Sequence, residues 1–307
     1  MSAETYASVD IGSNTILLLV ARRNQDGGLV PVHQEQRFPR LGQGLQESGL
    51  LAAQNMAKAL EYLREYRQIA AEYGVRWMRM VATAAVREAR NGDRFVQKVW
   101  QELGLQVEVL QPEQEAKLAF LGALANKRQL TGRVVVADVG GGSTEFVWGK
   151  PGEPEGWISF PVGSVKLTER FALQNKTRPD RIRQAAAYFR SVLSEKLPRI
   201  TDHLVGTAGT FTTIAAILQG LERYDADRVD GYRASWRQLE ELVERLAKMN
   251  AGERLRLPGV DPGREDVILG GAIIAREVLR YFGQKQVIIS DRGLRYGAIL
   301  ERLQNQE

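Results

Sequence analysis

A duplicated α/β fold, with mixed sheets flanked by helices, is predicted for this chain of 307 residues. Two observations carry the expectation. Val9-Asp10-Ile11-Gly12-Ser13-Asn14-Thr15 returns, altered but recognisable, as Val136-Ala137-Asp138-Val139-Gly140-Gly141-Gly142-Ser143-Thr144. In each copy an apolar run ends in Asp, an apolar residue and Gly, and then resumes as β-branched and apolar sequence, which reads as strand, tight turn, strand. Each half then alternates helix and strand, as a repeated α/β unit does.

In chain order, residues 6–22 form the first hairpin. Asp26-Gly27-Gly28 is read as a turn and Leu29 to Arg37 as a third strand. Arg40-Leu41-Gly42-Gln43-Gly44 follows as a Gly-rich loop whose G-x-G lacks the rest of a dinucleotide fingerprint. Ala52 to Tyr73 is a long helix with Met56, Leu60, Leu63 and Ile69 on one stripe and Gly74 as its stop. Arg76 to Ala82 alternates like a strand, and Thr83 to Arg87 is read as a small-residue loop. A helix capped near Asn91 runs to Leu103. Gln106 to Leu110 is a strand, and Pro112 opens a helix through about Asn126.

Lys127 to Gly132 is polar and marks a domain boundary. The second hairpin starts at Arg133 and returns through Glu145 to Trp148. Lys150 to Gly156 is a turn before a strand over 157–160. Helices are expected near 163–173 and 179–197. His203 to Val205 is a short strand entering Gly206-Thr207-Ala208-Gly209-Thr210 and a helix. Ser235 to Met249 is helical, Arg254 to Arg264 a Pro/Gly loop, and Glu265 to Phe282 an apolar helix. A buried strand over 286–290 and a turn at Asp291-Arg292-Gly293 precede the last helix. The units are expected at 1–130 and 131–296, with the helix of about 297–307 packing back on the first.

Composition bounds the chemistry. With 44% hydrophobic and 26% charged residues the chain suits a globular protein, and a net charge of +5 favours anionic partners while equally describing a solvated basic surface. It has no Cys and only two His, His33 and His203. Thiolate nucleophiles, disulfides and multi-His metal sites are excluded. The longest early apolar run, Ile16 to Ala21, is too short to span a bilayer, and no leader pattern is read at the N-terminus, so a cytoplasmic protein is expected.

The paired turns leave backbone N–H groups bare for a phosphate. Facing each other across a cleft, they would grip an anionic phosphate chain and a metal together. Asp10 and Asp138 would hold Mg²⁺, directly or through water, with Glu145 a third oxygen ligand and Mn²⁺ an alternative ion. Gly12, Ser13, Asn14, Thr15, Gly140, Gly141, Gly142 and Ser143 would take phosphate oxygens. Thr207, Gly209 and Thr210, between strand and helix, suit an anion or a plain helix cap. Glu115 is the candidate base, kept ionised by the helix dipole, and Glu113 is the spare acid. Arg87, Lys166 and Arg254 lie near loops. A lone basic residue there is ordinarily a surface charge, and Arg87 is best placed to fork onto a terminal phosphate. No P-loop is present.

The turns resemble those of the actin-like (ribonuclease H-like) ATPase fold. More narrowly, the chain resembles the exopolyphosphatase / guanosine pentaphosphate phosphohydrolase family over nearly its whole length. The blocks are Asp10 to Thr15, Arg40 to Leu45, Ala82 to Arg87, Glu113 to Ala116, Asp138 to Glu145, Gly163 to Glu169, Gly206 to Thr210 and Ser290 to Gly297. The resemblance implies a Mg²⁺-dependent hydrolase acting at the end of a polyphosphate chain. In it Glu115 is the base, Asp138 the metal-linked carboxylate and Arg87 the grip on the terminal phosphate. Gln114 replaces the first Glu of the family's acidic pair, and Lys166 stands where Arg is usual. The extra helical domain of longer members does not follow, which leaves processivity open. Alternatives are hydrolysis of guanosine pentaphosphate, a sensor that binds guanosine tetra- or pentaphosphate, and an ATP-dependent small-molecule kinase. No specific nucleic acid or membrane partner is expected. The oligomeric state is open, a homodimer included.

Overall fold

The computed structural model describes residues 4–24, 28–127, 129–193, 197–199 and 201–304. The expected turn at Asp26 and Gly27 and residues 194–196 of the helix expected over 179–197 lie outside them, and that helix ends at Val192, where Leu193 turns extended. The chain packs as two compact units, Met1–Asn126 with Leu294–Glu307, and Lys127–Gly293.

The first unit runs β1 (Thr5–Ile11), β2 (Ile16–Arg23), β3 (Leu29–Arg37), α1 (Leu45–Ser48), α2 (Ala53–Glu72), β4 (Trp77–Ala82), α3 (Ala84–Glu88), α4 (Gly92–Leu103), β5 (Val107–Val109) and α5 (Pro112–Leu124). Its sheet has the order β3-β2-β1-β4-β5. The β1–β2 and β2–β3 pairs are antiparallel, while β4 lies parallel to both β1 and β5. The Thr83 to Arg87 stretch is helical rather than a loop. Three of its residues from Ala84 are apolar and buried, and the amides of Val86 and Arg87 both donate to the Thr83 carbonyl.

The second unit runs β6 (Val134–Val139), β7 (Thr144–Lys150), β8 (Glu153–Phe160), α6 (Ser164–Phe171), α7 (Pro179–Val192), β9 (His203–Thr207), α8 (Ala208–Gln219), α9 (Ala226–Val229), β10 (Arg233–Ser235), α10 (Trp236–Ala247), α11 (Ala251–Leu255), α12 (Ile268–Phe282) and β11 (Gln286–Ile289). Its sheet order is β10-β11-β9-β6-β7-β8. A three-stranded meander followed by two parallel strands thus occurs in both sheets, so the repeated sequence is a repeated topology.

β8 begins four residues before the strand expected at 157. Lys150 and Glu153 pair directly, so the hairpin closes over Pro151-Gly152, with Gly152 at φ 86°. The expected Pro/Gly loop at 254 starts inside α11, and α12 starts at Ile268 rather than Glu265.

The cores follow the patterning. Leu60, Leu63 and Tyr66 of α2 are buried, and the Tyr66 hydroxyl donates to the Ile16 carbonyl at 3.1 Å. In the second unit α12 is buried along most of its length against β6, α6, α7, α8 and α10. The last helix, α13 (Leu294–Gln304), packs on α5 and on β1 of the first unit. A Cβ at Gly297 would stand 1.9 Å from the Leu118 carbonyl oxygen, so the two helices touch through bare backbone.

Candidate active site

The hairpin register places each Asp alike. Ile11 pairs with Ile16 and Val139 with Thr144, which leaves a four-residue turn in each unit. The Gly12 amide donates to the Thr15 carbonyl at 2.9 Å, and the Gly140 amide to the Ser143 carbonyl at 3.1 Å. Those two amides close the turns and are not phosphate donors, contrary to the expectation for Gly12 and Gly140. The interior amides of Ser13, Asn14, Gly141 and Gly142 take no backbone partner among the described residues.

In the first unit the Gly42 amide donates to the Ser13 carbonyl at 2.7 Å, and the Arg40 amide to the Asn14 carbonyl at 3.2 Å. The loop with the incomplete dinucleotide pattern therefore backs the first turn. Asp10 lies beside it at the carboxyl end of β1, where parallel-sheet sites form. Among the described residues its buried Oδ1 has no hydrogen-bond partner. Burial, and secondly the charge of Glu115, push the Asp10 carboxyl up to about 7, against the opposing pull of Arg295.

Glu115 comes from the start of α5. Pro112 takes the first helical position, and the Gln114 Oε1 accepts the Gln111 amide at 2.9 Å. Gln114 thus does the capping work of the acid it replaces. Glu113 is exposed, while the Glu115 side chain is 15% exposed. The Arg87 Nη1 donates to the Glu115 Oε2 at 3.0 Å and to the Leu110 carbonyl at 2.7 Å. Burial raises the Glu115 pKa and outweighs the lowering by Arg87. The dipole argument for an ordinary carboxylate therefore does not hold; Arg87 is the main counterweight.

In the second unit Asp138 pairs with Glu145 across β6–β7 and with Thr207 across β6–β9, so the three share one face. Glu145 is 4% exposed and its Oε1 accepts the Ser159 hydroxyl at 2.8 Å. The amides of Ser164 and Val165, at the start of α6, donate to the Gly140 and Gly141 carbonyls at 2.9 Å each. That approach requires Gly163, because a Cβ there would stand 2.5 Å from the Gly141 oxygen. Lys166, in the first turn of α6, is half-buried with no ion pair among the described residues.

The Thr207 hydroxyl donates to the Ser290 carbonyl at 3.1 Å and is not available as a phosphate donor. Ala208 takes φ 65°, a strained bend from β9 into α8. Gly209 is not bare: a Cβ would stand 2.0 Å from the Arg264 guanidinium. Thr210 is buried against Gly271 of α12. Arg254 is also elsewhere. It is wholly buried, and its guanidinium donates to the carbonyls of Leu246, Leu173 and Asn175, so it braces the chain rather than binding phosphate. Arg295 and Arg264 carry no role in the sequence reading. Arg295 lies in a block quoted for the resemblance, whereas nothing local marks Arg264.

Among the described residues no three His, Cys, Asp or Glu side chains cluster as a metal cage. Mg²⁺ needs none, since it takes one or two carboxylates and keeps its waters. The orphaned Oδ1 of Asp10 and the Asp138–Glu145 pair fit that donor chemistry.

A two-unit α/β fold with a closed Gly turn and an acidic residue at the same place in each sheet defines a phosphate-handling protein of the actin-like type. Residues 19–306 match the Ppx/GppA phosphatase family, and the chain belongs to it. The crystal structure of an Aquifex aeolicus member of that family is 34% identical, with a TM-score of 0.86 over 99% of both chains. Exopolyphosphatase 2 of Mycobacterium tuberculosis is 34% identical over 98% of this chain and 99% of its own. A bifunctional 3-dehydroquinate synthase/phosphatase of Fusobacterium nucleatum is 31% identical over 98% of this chain, which spans 47% of that longer protein. No helix among the described residues is long and apolar enough to cross a membrane.

Proposed function

We propose that the chain is an exopolyphosphatase that hydrolyses the terminal phosphoanhydride of inorganic polyphosphate and releases orthophosphate. The observation that carries this reading is the Arg87–Glu115–Asp10 group. One buried carboxylate is held by a guanidinium, beside a second whose Oδ1 lacks a partner. The exopolyphosphatase relative over the full length supports the substrate class.

Glu115, ionised, accepts a proton from water as the water oxygen bonds to the terminal phosphorus. The bridging P–O bond breaks, and the shortened chain leaves with the electron pair. Arg87 holds Glu115 in place and favours its ionised form. Interior amides of the turn beside Asp10, those of Ser13 and Asn14, neutralise phosphate oxygens, so positioning and charge supply most of the acceleration. Mg²⁺ held by Asp10, or by Asp138 and Glu145, would supply further positive charge to those oxygens when bound.

The test is phosphate release with Mg²⁺ from tripolyphosphate, long-chain polyphosphate, guanosine pentaphosphate, and ATP with a sugar acceptor. Polyphosphate turnover is expected, with Glu115→Gln slower on the order of 10²-fold at near-normal substrate binding. Near-normal turnover by that variant removes Glu115 as the base, and release only from guanosine pentaphosphate reassigns the substrate.

A further inference from the structure

Among the described residues three non-glycine side chains stand on a left-handed backbone: Arg40 at φ 54°, Ala172 at φ 47° and Ala208 at φ 65°. Two of them are Ala, which leaves Arg40 as the long side chain held there. A Cβ in this region crowds the following carbonyl oxygen, and Gly escapes the penalty. The same loop uses Gly where it bends again, at Gly44 with φ 70°. Arg at position 40 is therefore unfavourable for folding, and its side chain needs another reason to be there.

The conformation is enforced from both sides of the residue. The Arg40 amide donates to the Asn14 carbonyl at 3.2 Å. Its own carbonyl accepts the Gln43 amide at 3.0 Å and the Asn55 Nδ2 at 2.8 Å. Two residues on, the Gly42 amide holds the Ser13 carbonyl at 2.7 Å, and a Cβ at Gly42 would stand 3.0 Å from the Ser13 Cβ. The loop is thus clamped to Ser13 and Asn14, whose amides have no backbone partner among the described residues. Arg40 is docked at the tip of the first unit's turn, while Asp10 stands at its base, one residue before the Ile11–Ile16 pair.

The charge on Arg40 is uncompensated. The other arginine of the stretch, Arg37, pairs with Glu35 and Glu65. No acidic residue occurs between positions 36 and 46. Arg40 is half-buried, and among the described residues its guanidinium has neither an ion pair nor a hydrogen bond. A partly desolvated cation without a counter-ion beside two bare amides is a place where an anion is favoured.

We propose that Arg40 binds a non-reacting phosphate of the substrate chain, as an additional recognition residue at the first unit's turn. It rests on the exopolyphosphatase reading. The guanidinium and the two amides meet the chain at the tip of the turn, and the reacting phosphorus lies at its base with Asp10 and Glu115. A guanidinium forks onto two oxygens of one phosphate, which an ammonium does not, so Arg is favoured over Lys. Arg40 meets a group that does not change during the reaction. It therefore contributes equally to ground and transition states and shows in KM.

The test measures tripolyphosphate hydrolysis and Tm for wild type, Arg40→Asn, Arg40→Lys and Arg37→Gln. Asn tolerates left-handed backbone better than Arg, so Arg40→Asn should melt no lower than wild type. Its KM should rise about tenfold or more, at a kcat within about twofold. Arg40→Lys should fall between the two, because the charge is kept and the fork lost. Arg37→Gln removes a charge from the same stretch and should leave KM unchanged. An equal rise there would reduce the effect to general attraction and overturn the proposal. An unchanged KM for Arg40→Asn, with or without a lower Tm, also overturns it. A loss confined to kcat places Arg40 on the reacting group and overturns it as well. Calorimetric binding of tripolyphosphate in a Glu115→Gln background separates Arg40 from the hydrolase reading. Turnover by wild type with binding unaffected by Arg40→Asn sinks Arg40 alone. No turnover, with binding that Arg40→Asn weakens, sinks the hydrolase and leaves Arg40 standing. Neither turnover nor binding sinks both.

Discussion

The Nη1 of Arg87 stands 3.0 Å from the Glu115 Oε2 and 2.7 Å from the Leu110 carbonyl oxygen. One nitrogen thus ties the last turn of α3 to both ends of the β5–α5 connection. It also places a permanent positive charge against a carboxylate that burial would otherwise neutralise.

Arg87→Ala removes the main influence that lowers the Glu115 pKa, so that pKa rises further. Because catalysis needs the ionised form, the acid side of the pH–rate profile moves to higher pH, with kcat down about tenfold or more near neutrality. Arg87→Ala/Glu115→Gln should be little worse than Glu115→Gln alone, since both act through one group. Additive losses would place Arg87 on the substrate instead.

Asp10 links stability to pH and metal. Its carboxyl is pushed from 3.8 up to about 7 in the folded chain. Its favourable contribution is whole below the ordinary carboxylate range and is lost as pH rises through about 7, a swing of roughly 4 kcal/mol. A cation beside the orphaned oxygen opposes that loss. Mg²⁺ should therefore raise Tm more at about pH 8 than at about pH 5, and Asp10→Asn should raise the metal-free Tm at the higher pH. Differential scanning calorimetry reads both.

Gly163→Ala drives a methyl group into the Gly140 and Gly141 carbonyls, at 2.6 and 2.5 Å. The start of α6 must move off the second turn. A loss of ~1–3 kcal/mol in stability is expected. Denaturant unfolding measures it, and unchanged stability would mean that the turn accommodates the methyl group without displacing α6.

Arg254→Met strands three carbonyls that the guanidinium now satisfies. About 3 kcal/mol of stability should go, with turnover of tripolyphosphate per folded molecule unchanged. A specific rise in tripolyphosphate KM would restore Arg254 as a phosphate ligand.

Much of the local structure was legible because its causes are local. The Asp-x-Gly pattern, strand alternation and the Pro112 start of α5 depend on residues a few positions apart. The pattern failed where one local signal served two outcomes. The small residues after Ala82 suit a loop or a helix, and long-range packing of Ala84, Ala85 and Val86 chose the helix. A Gly marks bare backbone, but Gly209 marks room for a guanidinium and Gly163 room for two carbonyls.

By itself, then, the sequence determined the repeated hairpin unit, the absence of thiol chemistry and the family to which the chain belongs. Tertiary structure decided which charges meet: Arg87 with Glu115 across 28 positions, Arg295 with Asp10, and Arg254 with carbonyls instead of solvent. The physical reason is that a side chain's charge state and partners depend on burial and distance in space. Neither is a property of spacing along the chain.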